Sequence, residues 1–237
     1  DVTRIHQLEG MRKDFVANVS HELKTPLTVL QGYLEIMQSM EDANSPNQKP
    51  LSLMQQQTTR MQSMVEQLLA LSRIEDAVDL DLSKIVNMTL MMDILKEEAK
   101  ALAGTEYTLV FNCEAGLNTH GNELQLRSAC SNLISNAIRY TSPGGTIAVS
   151  WRSVATGALF SVKDSGVGIA PQHINRLTER FYRVDNARSS KTGGTGLGLA
   201  IAKHALNHHH TELNVTSEYG KGSIFSFIIP SHLLVRQ

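Results

Sequence analysis

The strongest constraint on this fold is a pair of long helical patterns separated by a short polar segment. Residues 41–50 carry Asp, Asn, Ser and two prolines, which predicts a connector between two helices. Two long helices joined in this way predict an antiparallel hairpin, and their narrow apolar stripes require a second hairpin, so we expect a dimeric four-helix bundle. The first stripe, within residues 4–40, is Phe15, Val19, Leu23, Leu27, Leu30, Leu34 and Met37, and the second is Leu51, Met54, Thr58, Met61, Val65 and Leu68.

The pattern changes after residue 76, where shorter helical and strand-like segments alternate. Helices are predicted over 84–102 and 123–140, and strands over 107–112, 146–152, 159–163, 213–217 and 224–229. Strands that are mostly neighbours in sequence, with helices in separate blocks, indicate an α+β fold with an α/β sandwich after the hairpin. We therefore predict one domain over 1–76, a linker over 77–83 that is a candidate hinge, and a second domain over 84–237.

Composition excludes several classes of protein. The 237 residues carry a net charge of -1, so no global attraction to nucleic acid or to an anionic membrane is expected. No apolar run approaches the roughly 18 residues of a membrane span. Cys113 and Cys130 lack metal or redox spacing and are predicted to be free buried thiols.

His21 is the first candidate for chemistry, within Val19-Ser20-His21-Glu22. On a helix it lies about 200° from Val19, so it faces away from the apolar stripe, with Thr25 one turn further on. A neutral imidazole is a nucleophile near neutral pH, and the Glu22 carboxylate can accept its proton. The chain has nine histidines, however, and most must be ordinary. We expect the run at 208–210 to be a solvated surface rather than a metal site.

Asn132 and Asn136 form the second candidate, because they are four residues apart and share one face of a predicted helix. Carboxamide oxygens suit Mg²⁺ beside phosphate oxygens, and Arg139 adds a positive charge nearby. Local hydrogen bonding is an equally good explanation of two helical asparagines. At this point both interpretations remain open.

Two glycine-containing segments form the third candidate. Asp164 follows a predicted strand and opens the turn D-S-G-V-G-I, where its carboxylate can accept a hydrogen bond from an exocyclic amine. The segment 193–199, G-G-T-G-L-G-L, opens a helix and offers backbone amides to phosphates. It is neither a Rossmann fingerprint nor a P-loop. The polar run 185–192 before it is predicted to close over a nucleotide as a lid.

Five motifs in order, HELKTP, NLISNA, DSGVGI, ERFYRVD and GTGLGLA, resemble the H, N, G1, F and G2 boxes of sensor histidine kinases. The resemblance spans essentially the whole chain and departs only at Lys24, where Arg is commoner. It implies a dimerisation and histidine-phosphotransfer hairpin, followed by an ATP-binding domain of the histidine kinase and chaperone ATPase type. It also implies ATP and Mg²⁺ as ligands and the receiver domain of a response regulator as partner.

The resemblance also implies roles for individual residues. His21 matches the phosphoacceptor, Glu22 its acid-base helper, and Thr25 the residue that positions water to dephosphorylate the partner. Asn136 and Asn132 match the Mg²⁺ ligands, and Asp164 the aspartate that reads adenine. The nucleotide site it implies consists of Asn132, Asn136, Arg139, Tyr140, Asp164, Gly166, Gly168, Ile169, Tyr182, Arg183, Gly194, Thr195, Gly196, Leu197 and Gly198.

Two other functions are compatible with the same fold. One is dephosphorylation of the partner as the dominant activity, and the other is a non-catalytic dimeric scaffold that binds ATP; intact N and G2 motifs argue against the second. The runs HELKTPLTVLQGYLE, RLTERFYRVDNARS and AIAKHALNHH narrow the resemblance to one branch of the family in Gram-negative bacteria. That branch implies a membrane anchor and a sensory domain ahead of this chain, which would be the cytoplasmic portion of an inner-membrane protein.

Overall fold

The structure is a computed structural model that describes residues 23–41, 45–75, 81–184 and 194–236. His21, Glu22, most of the predicted linker and the predicted lid at 185–192 lie outside the described residues. No helix in the described ranges is long and apolar enough to cross a membrane.

A helical hairpin comes first, as predicted. Helix α1 covers residues 23–40 and α2 covers Gln48–Glu75. Leu27 packs against Val65 and Leu69, which holds the two helices together. The predicted connector is wrong at its end, because residues 48–50 already belong to α2. Pro50 fits in that first turn, where a missing backbone N–H breaks no helical hydrogen bond.

The second domain contains two sheets and a layer of helices. The larger sheet has the order β2-β4-β5-β7-β6, in which only β2 and β4 are parallel, and the smaller sheet has the order β1-β3-β8. The strands are β1 Ile85–Val86, β2 Thr108–Cys113, β3 Leu117–His120, β4 Thr146–Val154, β5 Gly157–Asp164, β6 Asn214–Glu218, β7 Gly222–Pro230 and β8 Leu234–Arg236. The helices are α3 Met88–Ala103, α4 Glu123–Tyr140, α5 Pro171–Ile174 and α6 Gly198–His208, with a 3-10 turn at Ser231–Leu233.

Helices α3 and α4 pack on the large sheet, α6 packs against α4, and all three helices share one core with the sheet. Trp151 is fully buried there, and its Nε1 donates a hydrogen bond to the carbonyl of Leu117 at 2.8 Å. The Phe160 and Phe227 rings stack with centroids 5.1 Å apart. Cys113 and Cys130 are both free, as predicted, but only Cys130 is buried, because Cys113 is half-buried on β2.

The predicted helix over 84–102 is wrong at its start. Ile85 and Val86 pair with β3 as a strand, and the helix begins only at Met88. The reason is local, because the side chain of Asn87 accepts a hydrogen bond from the backbone N–H of Leu90 and so caps the helix there. Helix α4 has the predicted bounds, and its start is capped in the same way by Asn122.

The C-terminal half of α2 packs against the second domain. Leu71 and Ile74 are buried in the same core as the helices of the sandwich. The Glu75 carboxylate pairs with the guanidinium of Arg180, and it lies 3.3 Å from Nε2 of His204 on α6. The hairpin and the sandwich are therefore in contact along one face of α2.

Candidate functional site

Helix α4 forms one wall of the candidate site. Asn132 and Asn136 are half-buried on it. The Asn132 amide donates to the carbonyl of Ser128 at 2.8 Å, which leaves its oxygen directed at α6. That oxygen lies only 2.5 Å from where a Cβ on Gly198 would stand, so the first residue of α6 packs directly against it. A side chain at Gly198 would displace the Asn132 carboxamide.

Asp164 ends β5 at the floor of the site. Its Oδ1 accepts hydrogen bonds from the backbone N–H groups of Gly166 at 2.8 Å and Ser223 at 3.2 Å. The residue is only 5 % exposed, and burial raises the pKa of its carboxyl group, while the two backbone hydrogen bonds oppose that rise. The carboxyl is therefore fixed by the backbone at the end of a central strand.

The glycines after Asp164 bring its turn against neighbouring elements. A Cβ on Gly166 would stand 2.3 Å from the carbonyl oxygen of Tyr140, at the end of α4, so only glycine allows this approach. Gly168 lies beside the backbone of Glu218 at the end of β6. The backbone N–H of Ile169 donates to the Ser217 hydroxyl at 2.8 Å. The turn is thus held from both sides.

The described part of the glycine-rich segment, 194–198, lies between α4 and the 181–184 segment. Gly196 has a φ of 77°, which favours glycine, and its carbonyl accepts a hydrogen bond from the N–H of Phe181 at 2.9 Å. Gly194 lies beside Arg139, whose Nη1 is 3.2 Å from the position of a Cβ there. The Thr195 hydroxyl accepts from the N–H of Leu197, which is fully buried.

Tyr182 and Arg183 follow Phe181 and are both half-buried. The Tyr182 hydroxyl is 2.6 Å from Nδ1 of His173, and Arg176 stacks over the Tyr182 ring at 4.3 Å. Burial lowers the pKa of the Arg183 guanidinium. The positive charges of Arg60 and Arg139 lower that pKa further, while Tyr140 opposes them.

The elements that carry the four predicted motifs of the second domain therefore touch one another. Helix α4, which carries the N motif, meets the G1 motif where Tyr140 approaches Gly166. The N motif itself meets the G2 motif at Asn132 and Gly198, and the F and G2 motifs join through the Phe181–Gly196 hydrogen bond. Thr25 is exposed on α1 and takes no part in these described contacts. Its predicted neighbours His21 and Glu22 lie outside the described residues.

Sequence reasoning missed the residues of α2 that reach this site. The Thr195 hydroxyl donates a hydrogen bond to Oε1 of Gln67, 128 residues earlier in the chain. Arg60 lies on α2 as well, and its positive charge lowers the pKa of Arg183. Both residues lie off the predicted apolar stripe of α2. Met64 and Leu71, seven residues apart and also off that stripe, were the available signal of a second packed face on α2.

The prediction of a solvated surface at 208–210 is wrong for His209, which is fully buried. Its Nε2 accepts a hydrogen bond from the N–H of Asn122 at 3.0 Å, and its Nδ1 donates to the carbonyl of Ala205 at 2.7 Å. Burial lowers the pKa of this imidazole, which is held neutral between α6 and the start of α4. No group of three or more His, Cys, Asp or Glu side chains able to hold a metal occurs in the described part of the chain.

Two family models match the chain in the order that the motifs predict. The phospho-acceptor domain of histidine kinases, His Kinase A, matches residues 11–77, and the histidine kinase-, DNA gyrase B- and HSP90-like ATPase domain matches residues 121–233. The chain belongs to the sensor histidine kinase family. Both parts of the predicted fold, the hairpin and the ATPase-type sandwich, are confirmed.

The branch indicated by the longer runs is that of the phosphate regulon sensor proteins PhoR. The chain is 48% identical to PhoR of Pseudomonas aeruginosa over 95% of its own length and 52% of that protein. It is 45% identical to PhoR of Haemophilus influenzae over 99% of its length and 55% of that protein. The chain thus spans about half the length of these relatives. Its fold matches full-length ShkA, solved with AMPPNP, with a TM-score of 0.74 at 23% identity, over 94% of this chain and 47% of that one.

Proposed function

We propose that this chain autophosphorylates His21 from ATP and transfers the phosphoryl group to an aspartate of a response regulator. The observation that carries the proposal is the contact between the elements that hold the N, G1, F and G2 motifs, which gathers adenine-type and phosphate-type recognition at one place. A buried carboxylate, two arginines and a glycine-rich segment gathered at one place are the groups expected of a nucleotide site.

ATP is the proposed substrate. The described hydrogen bonds to the Asp164 carboxylate both end on Oδ1, and we assign Oδ2 to the exocyclic amine of adenine. The phosphates would lie along the segment 194–198 at the start of α6, where backbone N–H groups and the helix dipole favour anions. Arg139 and Arg183 supply positive charge beside that segment.

Mg²⁺ is the proposed metal, and the carboxamide donors on α4 fit its preference for oxygen ligands. Asn136 is the first candidate ligand, because the Asn132 oxygen already lies against Gly198. In this arrangement Asn132 holds α4 and α6 together. It can become a second Mg²⁺ ligand only if its side chain rotates away from Gly198. When bound, Mg²⁺ neutralises charge on the phosphate oxygens.

The phosphoryl transfer itself needs His21 and Glu22. An imidazole nitrogen of His21 attacks the γ-phosphorus in line, the bond to the bridging oxygen breaks, and ADP leaves with that oxygen. Glu22 accepts the proton that the ring loses. Transfer to a receiver-domain aspartate then regenerates the free histidine. Positioning and charge neutralisation supply most of the catalysis in such reactions.

A homodimer is proposed because the apolar stripe of α1 is only half covered within one chain. Leu27 and Leu34 are buried, at 7% and 4% exposure, and Leu27 packs against α2, whereas Leu30 and Met37 are 49% and 54% exposed. The two buried leucines are seven residues apart, and so are the two exposed residues. This spacing is typical of a helical bundle in which alternate layers of one helix face different neighbouring helices. A second hairpin would cover the exposed layer.

The receiver domain is proposed to dock on the side of α1 that faces away from α2. Val29, Tyr33, Ile36 and Met40 are all more than half exposed there, and they recur at helical spacing. Thr25 continues this face toward the start of α1 and is exposed as well. We infer that Thr25 positions water for dephosphorylation of the docked regulator, as the family resemblance implies.

Signalling in response to phosphate is proposed from the PhoR relatives, at 45–48% identity. The same relatives are about twice as long as this chain, so a sensory region and membrane anchor elsewhere in the parent protein belong to the proposal. In it, the present chain is the cytoplasmic portion of an inner-membrane protein.

Incubation with γ-labelled ATP and Mg²⁺ tests the proposal. Wild-type protein should take up label and pass it to a purified receiver domain, and His21→Ala should take up none. Asn136→Ala should reduce labelling while His21 is intact. Equal labelling of wild type and His21→Ala would refute the proposed phosphoacceptor, and binding of ATP without labelling would favour the scaffold.

A further inference from the structure

Arg60 lies on the face of α2 that packs against the second domain. Helix positions seven residues apart differ in direction by about 20°, so Arg60 shares its face with Gln67, the partner of Thr195. Met64, one turn from each, packs against the core of the second domain. The α1 contacts on α2 are Val65 and Leu69, on a different face. The Arg60 side chain is therefore directed toward the sandwich.

Arg60 lies at a level of α2 that is beyond the start of α6. Glu75 contacts His204, and Gln67 contacts Thr195, so α2 and α6 run side by side in the same direction. Arg60 is seven residues before Gln67, or about 10 Å further along α2 at 1.5 Å per residue. It thus lies beyond Gly198, at the end of α6 where the glycine-rich segment enters.

Three arginines lie near that end. Arg139 comes from α4 and lies against Gly194, Arg183 comes from the F motif, and Arg60 comes from the hairpin. Arg183 is half-buried, and the charges of both other arginines act on it and disfavour its protonated form. Like charges gathered in a half-buried place are stabilised when an anion binds between them.

We propose that Arg60 binds the terminal phosphate of ATP together with Arg139 and Arg183 while the hairpin is docked. The proposal rests on the function proposed above and adds a hairpin residue to the nucleotide site. It makes ATP a bridge between the two domains. By linkage, ATP tightens docking of the hairpin as much as docking tightens ATP binding, and ADP, which lacks the third phosphate, does so less.

Nucleotide affinities of the full chain test this assignment. ATP, ADP and AMP would be titrated against wild type, Arg60→Gln, Arg60→Lys and Arg73→Gln. Arg73 lies on the same helix, is exposed, and provides the same change of charge. Arg60→Gln should weaken ATP about 10-fold, the size of a lost charge-assisted hydrogen bond, and leave AMP unchanged. Arg60→Lys should recover part of the loss, and Arg73→Gln should match wild type.

Amide hydrogen exchange of α2 provides the second readout. ATP should slow exchange over residues 60–75 in wild type and in Arg73→Gln, but not in Arg60→Gln. Equal loss of ATP and AMP affinity in Arg60→Gln would indicate structural damage and overturn the assignment, as would unchanged ATP affinity. Failure of wild type to bind any nucleotide would instead contradict the proposed function itself.

Discussion

The hydroxyl of Thr195 donates a hydrogen bond to Oε1 of Gln67, which joins the glycine-rich segment of the sandwich to the second helix of the hairpin. Thr195 also accepts from the N–H of Leu197, so the same side chain shapes its own segment. Glu75 extends the junction two turns further along α2, through Arg180 and His204. A change in how the hairpin sits therefore reaches the residues proposed to hold phosphate.

Leu71 provides the test of this docking. It is 2% exposed and lies in the core of the second domain, so Leu71→Ala should weaken docking by about 2–5 kcal/mol. Amide exchange over residues 64–75 should rise, while exchange in the central strands of the sandwich stays slow. Leu53→Ala is the matched control, because Leu53 is 54% exposed on the same helix. Equal exchange in both variants would show that the hairpin is not held by this contact.

Asp164→Asn should weaken ATP binding without lowering the stability of the fold. Burial raises the pKa of this carboxyl, so the charged form opposes folding at neutral pH, and an amide of the same shape should leave the melting temperature unchanged or raise it. Its oxygen can still accept from Gly166 and Ser223. Adenine recognition should be lost, with ATP affinity falling about 10- to 100-fold, as for a hydrogen bond to a charged group. Calorimetric titration and thermal melting check the two parts. An Asp164→Asn variant that binds ATP normally would remove Asp164 from the proposed site.

Two different faces of α1 should serve different partners. Leu30→Lys should turn the dimer into a monomer in sedimentation analysis, because Leu30 belongs to the half-covered layer of the bundle. Ile36→Lys has the same change of charge on the outer face and should leave the dimer intact. It should slow phosphoryl transfer to the receiver domain without reducing autophosphorylation. A dimer that survives Leu30→Lys would contradict the proposed bundle.

His209 should make the stability of the sandwich depend on pH. Burial lowers the pKa of its imidazole, so below an unfolded pKa of about 6.5 the unfolded chain binds a proton that the folded chain does not. The free energy of unfolding should therefore fall with decreasing pH, by up to about 1.4 kcal/mol per unit, and level off below the folded pKa.

The measurement for His209 is the slope of unfolding free energy against pH between 5 and 7. His209→Gln should flatten that slope even where it lowers stability at every pH. His204 also has a pKa lowered by burial and should leave a smaller slope of the same sign. His232→Gln, an exposed site, is the control. An unchanged slope in His209→Gln would contradict the assignment of the buried neutral imidazole.

The sequence predicted elements best where local signals mark their ends. Helix α4 carries its own cap at Asn122, and its predicted bounds were right. Strand β3, Leu117–His120, was missed because it lacks alternation of apolar and polar residues and pairs only with two other short strands. The domain bounds 1–76 and 84–237 remain predictions.

The residues of the candidate site also differ in whether a local sequence signal predicts them. Resemblance to the family identified Asp164 and the glycines, since their spacing is local. The contact of Gly198 with Asn132 and the bond of Thr195 to Gln67 join residues far apart in the chain. Such contacts depend on how helices pack, which no local pattern specifies. Burial of His209 has the same origin, because Asn122, its partner, precedes it by 87 residues.

The location and chemistry of the phosphoryl group test the central claim most directly. Wild-type protein labelled with ATP and Mg²⁺ would be digested at neutral pH, and the labelled peptide identified by mass spectrometry. The predicted result is a single phosphate on His21, lost in acid and stable in alkali, as expected of a phosphoramidate. A phosphate that is stable in acid and lies on Ser20, Thr25 or any other residue would contradict the claim that this chain is a histidine kinase acting through His21.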